Sequence, residues 1–266
     1  MTHDLVVLGG GPGGYVAAIR AAQLGMKVAI IEKEDRFGGT CLRVGCIPSK
    51  ALLESSHKYE IASDELSKHG VVTQGVSLDL AVMMKRKADV VQTLSKGIEA
   101  LLAKNKIVKI KGTGRLAGEG CVHVTSADGA VTEVSAQRII LAVGSHSVVL
   151  PGIECDGSRV GTSTEALSYS EVPKHRVVIG GGYIGLELGS VWRRLGSRVT
   201  VLEYSDRILT GIDSEIASDA LVLFRKQGLD IQLGVKVLSA KAEGEACVVQ
   251  PEGRDAIPCG RVLAAA

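Results

Sequence analysis

The feature that most constrains this chain is a unit that occurs twice, displaced by 171 residues. Val6-Val7-Leu8-Gly9-Gly10-Gly11-Pro12-Gly13-Gly14 is matched by Val177-Val178-Ile179-Gly180-Gly181-Gly182-Tyr183-Ile184-Gly185. Gly25, Val28 and Glu32 fall in the same way on Gly196, Val199 and Glu203. Each copy reads as an apolar strand, G-x-G-x-x-G, a helix ending at Leu-Gly, a second strand, and an acid 18 residues after the last glycine. That is the full dinucleotide fingerprint rather than a lone glycine motif. The first glycine makes a tight strand-to-helix turn, the second lets backbone meet a pyrophosphate, and the third lets helix pack on sheet. The helix start then offers unpaired N–H groups and a positive dipole end to the phosphates. Glu32 and Glu203 are placed to accept ribose hydroxyls. A carboxylate there also repels a 2′-phosphate, so the second copy is expected to prefer NAD to NADP.

A chain of 266 residues has room for about two domains. The expected fold is α/β, with two Rossmann-like dinucleotide-binding domains in three layers and β-rich insertions. Pro151-Gly152 marks the exit into the second unit, which puts the boundary between residues 147 and 148. Residues 49–69 read as largely helical, and residues 79–105 as a long helix. Leu80, Met83, Met84, Ala88, Val91, Leu94, Ile98, Leu101 and Leu102 lie near one face of that helix. Short strands are expected at residues 107–111, 121–126, 131–134 and 138–143, with Gly112-Thr113-Gly114 and Val143-Gly144-Ser145 as turns. After the second copy, residues 213–227 read as a helix and residues 229–249 as strands and turns.

A net charge of +2 and 3% aromatic residues argue against a nucleic-acid partner or a membrane surface. No apolar stretch approaches the roughly 18 residues of a spanning helix, and the N-terminus lacks the parts of a signal peptide. The cysteines Cys121, Cys155, Cys247 and Cys259 are scattered, and no metal-ligand spacing links them to the histidines, so no metal is expected. That usage suits the cytoplasm, with Cys41 and Cys46 set apart. Those two lie in Gly38-Gly39-Thr40-Cys41-Leu42-Arg43-Val44-Gly45-Cys46-Ile47-Pro48-Ser49-Lys50, close behind the first nucleotide unit. In an ideal helix, Cα atoms five positions apart are roughly 8.7 Å from each other, whereas a disulfide needs about 4.4–6.8 Å. A bridge therefore requires a helix start distorted or entered from a loop, for which Gly45 and Pro48 supply the backbone. The alternative is two ordinary buried thiols.

This string between two dinucleotide units resembles the flavoprotein disulfide reductases, and within them the dihydrolipoyl dehydrogenase branch. The likeness extends over essentially the whole chain: residues 9–20, 38–50, 78–105 with Met-Met-Lys-Arg-Lys, 112–115, Ser163-Thr164-Glu165-Ala166-Leu167, and 180–195. The resemblance implies FAD in residues 1–147 and NAD in residues 148–266. FAD would meet Gly9, Gly11, Gly14, Glu32, Thr40, Cys41, Lys50, Gly114, Val143, Gly144 and Ser145. NAD would meet Gly180, Gly182, Tyr183, Ile184, Gly185, Glu187, Glu203 and Val237. Cys41 and Cys46 become the redox disulfide, Cys46 facing the flavin and Cys41 exchanging with substrate, while Lys50 and Glu187 are the implied catalytic partners. The implied substrate is the lipoyl group of a 2-oxoacid dehydrogenase or glycine cleavage complex, served by a homodimer of the full-length protein.

The pattern departs from the family at Arg43, where Asn is usual, and at Val143, where Thr is common; Arg43 is expected to face solvent. The family also continues beyond the point where this sequence stops, into a second flavin segment and an interface domain with a His-Pro…Glu base. None of His3, His57, His69, His123, His146 and His175 precedes a proline. The 266-residue product is accordingly expected to hold FAD weakly, to associate, and to turn over slowly. Other disulfide reductases, of the glutathione or mercuric type, and a nucleotide-binding fragment without turnover are the competing readings. Glu203 and the helix over residues 78–105 argue against the glutathione branch.

Overall fold

A computed structural model describes residues 2–148 and 150–265. Its elements are β1 (Thr2–Leu8), α1 (Pro12–Gln23), β2 (Val28–Glu32), α2 (Gly39–Val44), α3 (Cys46–Glu60), α4 (Leu80–Lys104), β3 (Val108–Lys111), β4 (Thr113–Gly118), β5 (Cys121–Thr125) and β6 (Val131–Leu141). They continue as β7 (Val160–Gly161), α5 (Ser163–Ala166), β8 (His175–Ile179), α6 (Tyr183–Arg194), β9 (Arg198–Leu202), α7 (Ser214–Lys226), β10 (Asp230–Gln232), β11 (Val237–Glu243), β12 (Ala246–Pro251), β13 (Ile257–Cys259) and β14 (Arg261–Ala264). After α3 the chain widens into one π-helical turn (Ile61–Glu65) and then tightens into one 3₁₀ turn (Leu66–His69). Two compact units result, residues 1–48 with 88–146, and residues 49–87 with 147–266.

In the first unit the sheet order is β3-β2-β1-β6-β5-β4. β3, β2, β1 and β6 run parallel, while β5 and β4 are antiparallel additions. The uninterrupted apolar run of β1 is buried on both faces, as a central parallel strand must be. Leu5 and Val7 pack with α1 and α4 through Ala18, Ala21, Ile98 and Leu102. Val6 and Leu8, pointing the other way, pack on Val122, Val124 and Val134 of the meander. Helices, parallel sheet and meander make the three layers.

The second unit repeats that plan. Its parallel sheet has the order β10-β9-β8-β14-β7, and β11-β12-β13 form an antiparallel sheet. Val178 packs on the α6 side with Leu186, Val191 and Trp192. Val177 and Ile179 face Ala240, Cys247 and Val249 of the three-stranded sheet. The duplicated sequence unit thus returns as β1-α1-β2 and β8-α6-β9, each with its first strand at the centre.

Three local expectations change. Gly112 alone turns the chain, at φ +148°, and Thr113 and Gly114 already belong to β4. The runs over residues 131–134 and 138–143 fuse into β6, because Ala136 continues the buried alternation begun at Val134. On α4 the buried residues are Met83, Val91, Ser95, Ile98 and Leu102, while Ala88, Leu94 and Leu101 are exposed. Ser95 belongs to the buried stripe because its hydroxyl donates to the Phe37 carbonyl at 3.2 Å.

Arg176 on β8 is fully buried, with its guanidinium 5.0 Å from the Tyr169 ring centre and 5.7 Å from that of Trp192. None of its three nitrogens has a hydrogen-bond partner among the described residues. Burial pushes its pKa below the usual guanidinium range. The two rings return only part of the cost of dehydrating this charge. Arg176→Met is therefore expected to stabilise the chain by about 1–4 kcal/mol, read as a raised midpoint of denaturation. A lowered midpoint would show that the guanidinium supports the fold.

Candidate functional site

The two glycine-rich turns share one geometry. Gly9 and Gly180 have φ of +103° and +109°, the left-handed region that L side chains avoid. A Cβ on Gly14 would lie 1.8 Å from the Gly9 carbonyl oxygen, and one on Gly185 2.2 Å from that of Gly180. Gly182 differs: its φ of −75° suits any residue, and a Cβ there would meet no protein atom within 4 Å. The protein itself does not require glycine at that place. A ligand lying against the backbone would. Helices α1 and α6 also begin without a side-chain cap, at Gly11 and Gly182. By contrast, α5 is capped by Thr162 and α7 by Asp213. Uncapped first-turn N–H groups beside a glycine backbone are what a pyrophosphate needs.

The paired acids carry a role that the spacing did not disclose. Glu32 accepts from the Gly10 N–H at 2.7 Å and the Glu34 N–H at 2.9 Å. Glu203 does the same with Gly181 and Ser205, at 2.5 and 2.7 Å. Each carboxylate ties its glycine turn to the strand exit and retains lone pairs for a ribose.

In the first unit the cysteine segment is fastened to the first glycine turn. The Gly38 N–H donates to the Gly10 carbonyl at 2.8 Å, and a Cβ on Gly39 would come 2.6 Å from the Gly11 Cα. Gly45, at φ −144° and ψ −114°, separates α2 from α3. That break brings the Cα atoms of Cys41 and Cys46 to 4.6 Å, and the two are joined as a disulfide. Cys121, Cys155, Cys247 and Cys259 are free thiols. Thr40 and Cys46 are exposed and Cys41 is half-buried. Gly114 packs against Leu8 and Ile31, and the Gly9 turn abuts Ala142 and Val143 at the head of the exposed segment Val143-Gly144-Ser145. Arg43 is paired rather than solvent-facing: it is about one-fifth exposed and donates to Glu34 at 3.0 Å.

In the second unit Lys50 donates to both oxygens of Glu187, at 2.6 and 2.8 Å. The Ser49 hydroxyl adds a third hydrogen bond at 2.9 Å, fixing the carboxylate from a buried position. Ser49 was not among the expected site residues; only its place beside Lys50 hinted at it. Tyr183, exposed, and Ile184 open the first turn of α6, and Val237 begins β11. No helix among the described residues is long and apolar enough to cross a membrane.

Residues 3–266 match the model of the pyridine nucleotide-disulphide oxidoreductase family. Dihydrolipoyl dehydrogenase 3 of Pseudomonas putida is 52% identical over 252 residues, which are 94% of this chain and 54% of that protein. The mitochondrial dihydrolipoyl dehydrogenase of Dictyostelium discoideum is 50% identical, over 92% of this chain and 51% of its own. Among solved structures, LpdA from Mycobacterium tuberculosis superposes with a TM-score of 0.88 at 26% identity, covering 98% of this chain and 57% of that one. The chain spans about half the length of the curated relatives it matches.

Proposed function

The chain belongs to the pyridine nucleotide-disulphide oxidoreductase family, and on that premise we propose that it provides the nucleotide-binding and redox portions of a dihydrolipoyl dehydrogenase. The observation that carries the reading is the Cys41–Cys46 disulfide fastened to the first glycine turn. Members of the family use FAD and NAD(P). The glycine cradles and uncapped helix starts fit two dinucleotides, FAD within residues 1–147 and NAD within residues 148–266. When bound, FAD supplies the redox couple between a dithiol and the nicotinamide.

A dihydrolipoyl thiolate attacks the Cys41 sulfur, and the Cys46 thiolate leaves. The second lipoyl thiol, once deprotonated, attacks the mixed disulfide and releases the Cys41 thiolate. Two electrons have then moved from the lipoyl group to the cysteine pair, and its two thiol protons have gone to bases or solvent. Lys50, paired with the Glu187 carboxylate that Ser49 also holds, places a positive charge on the helix that starts at Cys46. The substrate class is a lipoyl group carried by a 2-oxoacid dehydrogenase or glycine cleavage complex, the full-length protein is a homodimer, and the setting is the cytoplasm. Assays of a full-length version with dihydrolipoamide and with glutathione disulfide test the reading. Turnover of glutathione disulfide alone would overturn it.

Glu203 sets nucleotide choice in this proposal. In a full-length version, Glu203→Ala should weaken NAD by roughly 1.5–3 kcal/mol, or about tenfold to a hundredfold, and relax discrimination against NADP. Glu203→Gln keeps one of the two acceptor oxygens the turn uses and loses the repulsive charge, so it should relax discrimination against NADP with a smaller loss of NAD than Glu203→Ala. Unchanged Michaelis constants for both nucleotides in both variants would remove Glu203 from this role.

A further inference from the structure

The outer face of the β4-β5-β6 meander presents a side-chain cluster that the redox chemistry does not use. Cys121 and His123 are two residues apart on β5 and so share a face. His123 stands opposite Glu133 in the register with β6. One ligand atom from each of the three lies within 4.8 Å of the others. The opposite face of these strands is the packed core, with Val122 0%, Val124 2% and Val134 6% exposed. The three donors are thus mounted on backbone that the core holds still.

We propose that Cys121, His123 and Glu133 bind a borderline-soft divalent cation of the Zn²⁺ class. Thiolate, imidazole and carboxylate are the donor types that zinc takes, at about 2.3, 2.0–2.1 and 2.0–2.2 Å. Those bond lengths at tetrahedral angles put ligand atoms about 3.3–3.8 Å apart. Side-chain rotations would have to close the gap from the present spacing. Binding replaces the thiol proton of Cys121 with the metal and releases it to solvent. The thiolate and Glu133 then supply two negative charges against the dication. Arg115, opposite His123 on β4, opposes the cation at the rim. Mg²⁺ and Ca²⁺ are disfavoured because only one of the three donors is an oxygen. Three protein ligands leave a fourth position for water or an exchanging ligand. Strand alternation is what conceals the site in the sequence, since a Cys-x-His pair and a residue ten positions on match no knuckle or helical ligand pattern.

The test is Co²⁺ and Zn²⁺ titration of the 266-residue chain, with Cys41–Cys46 kept oxidised so that those sulfurs do not compete. One equivalent of Co²⁺ should give a thiolate-to-metal charge-transfer band that Zn²⁺ abolishes. Cys121→Ser should remove the band. His123→Gln and Glu133→Gln should each weaken binding at least about tenfold. Cys155→Ser, at an exposed thiol elsewhere, should change nothing. Circular dichroism of each variant establishes that the fold is intact. A band that survives Cys121→Ser, or is lost in Cys155→Ser, would overturn the assignment, as would the absence of any band in the unaltered chain.

Discussion

Replacing Cys46 with serine in a full-length version is expected to lower NAD-dependent dihydrolipoamide oxidation by roughly 10³-fold or more. Serine keeps the size of the side chain but cannot form the Cys41–Cys46 bond, so a lipoyl thiolate meets no disulfide to attack. Cys41→Ser should be equally damaging. Both variants should still pass electrons from NADH to a dye that reacts at the flavin, because that route avoids the cysteines. The comparison separates lost chemistry from lost folding. If either variant oxidises dihydrolipoamide at the unaltered rate, the pair is a structural staple.

The glycine turns give the second large effect, with opposite outcomes at neighbouring positions. Gly14→Ala and Gly185→Ala place a Cβ 1.8 and 2.2 Å from backbone oxygens that cannot move without dismantling the turn. Each is expected to destabilise its unit by roughly 3 kcal/mol or more, read as a lower denaturation midpoint or as insoluble protein. Gly182→Ala meets no protein atom and should leave the midpoint of the nucleotide-free chain in place. Its methyl group should instead weaken NAD binding, measured by direct titration. If Gly182→Ala binds NAD as the unaltered chain does, the open space at Gly182 is not a phosphate cradle.

What the sequence disclosed here follows from periodicity and spacing. The two strand-glycine-helix-strand-acid units were legible because each is local, and because the copies agree at Gly25 and Gly196 as well as at the loops. The cysteine pair was legible as a candidate because Gly45 between the two and Pro48 just after allow a broken helix start, while its redox role came from the family resemblance. The rest depends on groups brought together from far along the chain. Ser49 reaches Glu187 across 138 positions, and Ser95 displaced Leu94 from the buried stripe because the Phe37 carbonyl waited there. Arg176 reads as an interruption in an apolar strand until Tyr169 and Trp192 are seen against it. Glu32 and Glu203 were found for a ribose, and their grip on Gly10 and Gly181 emerged only with the turns folded.

Strand β6 belongs to two ladders at once. Its first half pairs with β5, its second half with β1, and Ser135 takes part in both. Beneath that shared strand, Val122, Val124 and Val134 cluster with Val6, Leu8, Ala29 and Ile31, so lifting the meander away would uncover one face of the parallel strands. Amide exchange in β5 and in β1 is therefore expected to slow together, although a reader of the exposed strands alone would take them for a detachable ornament.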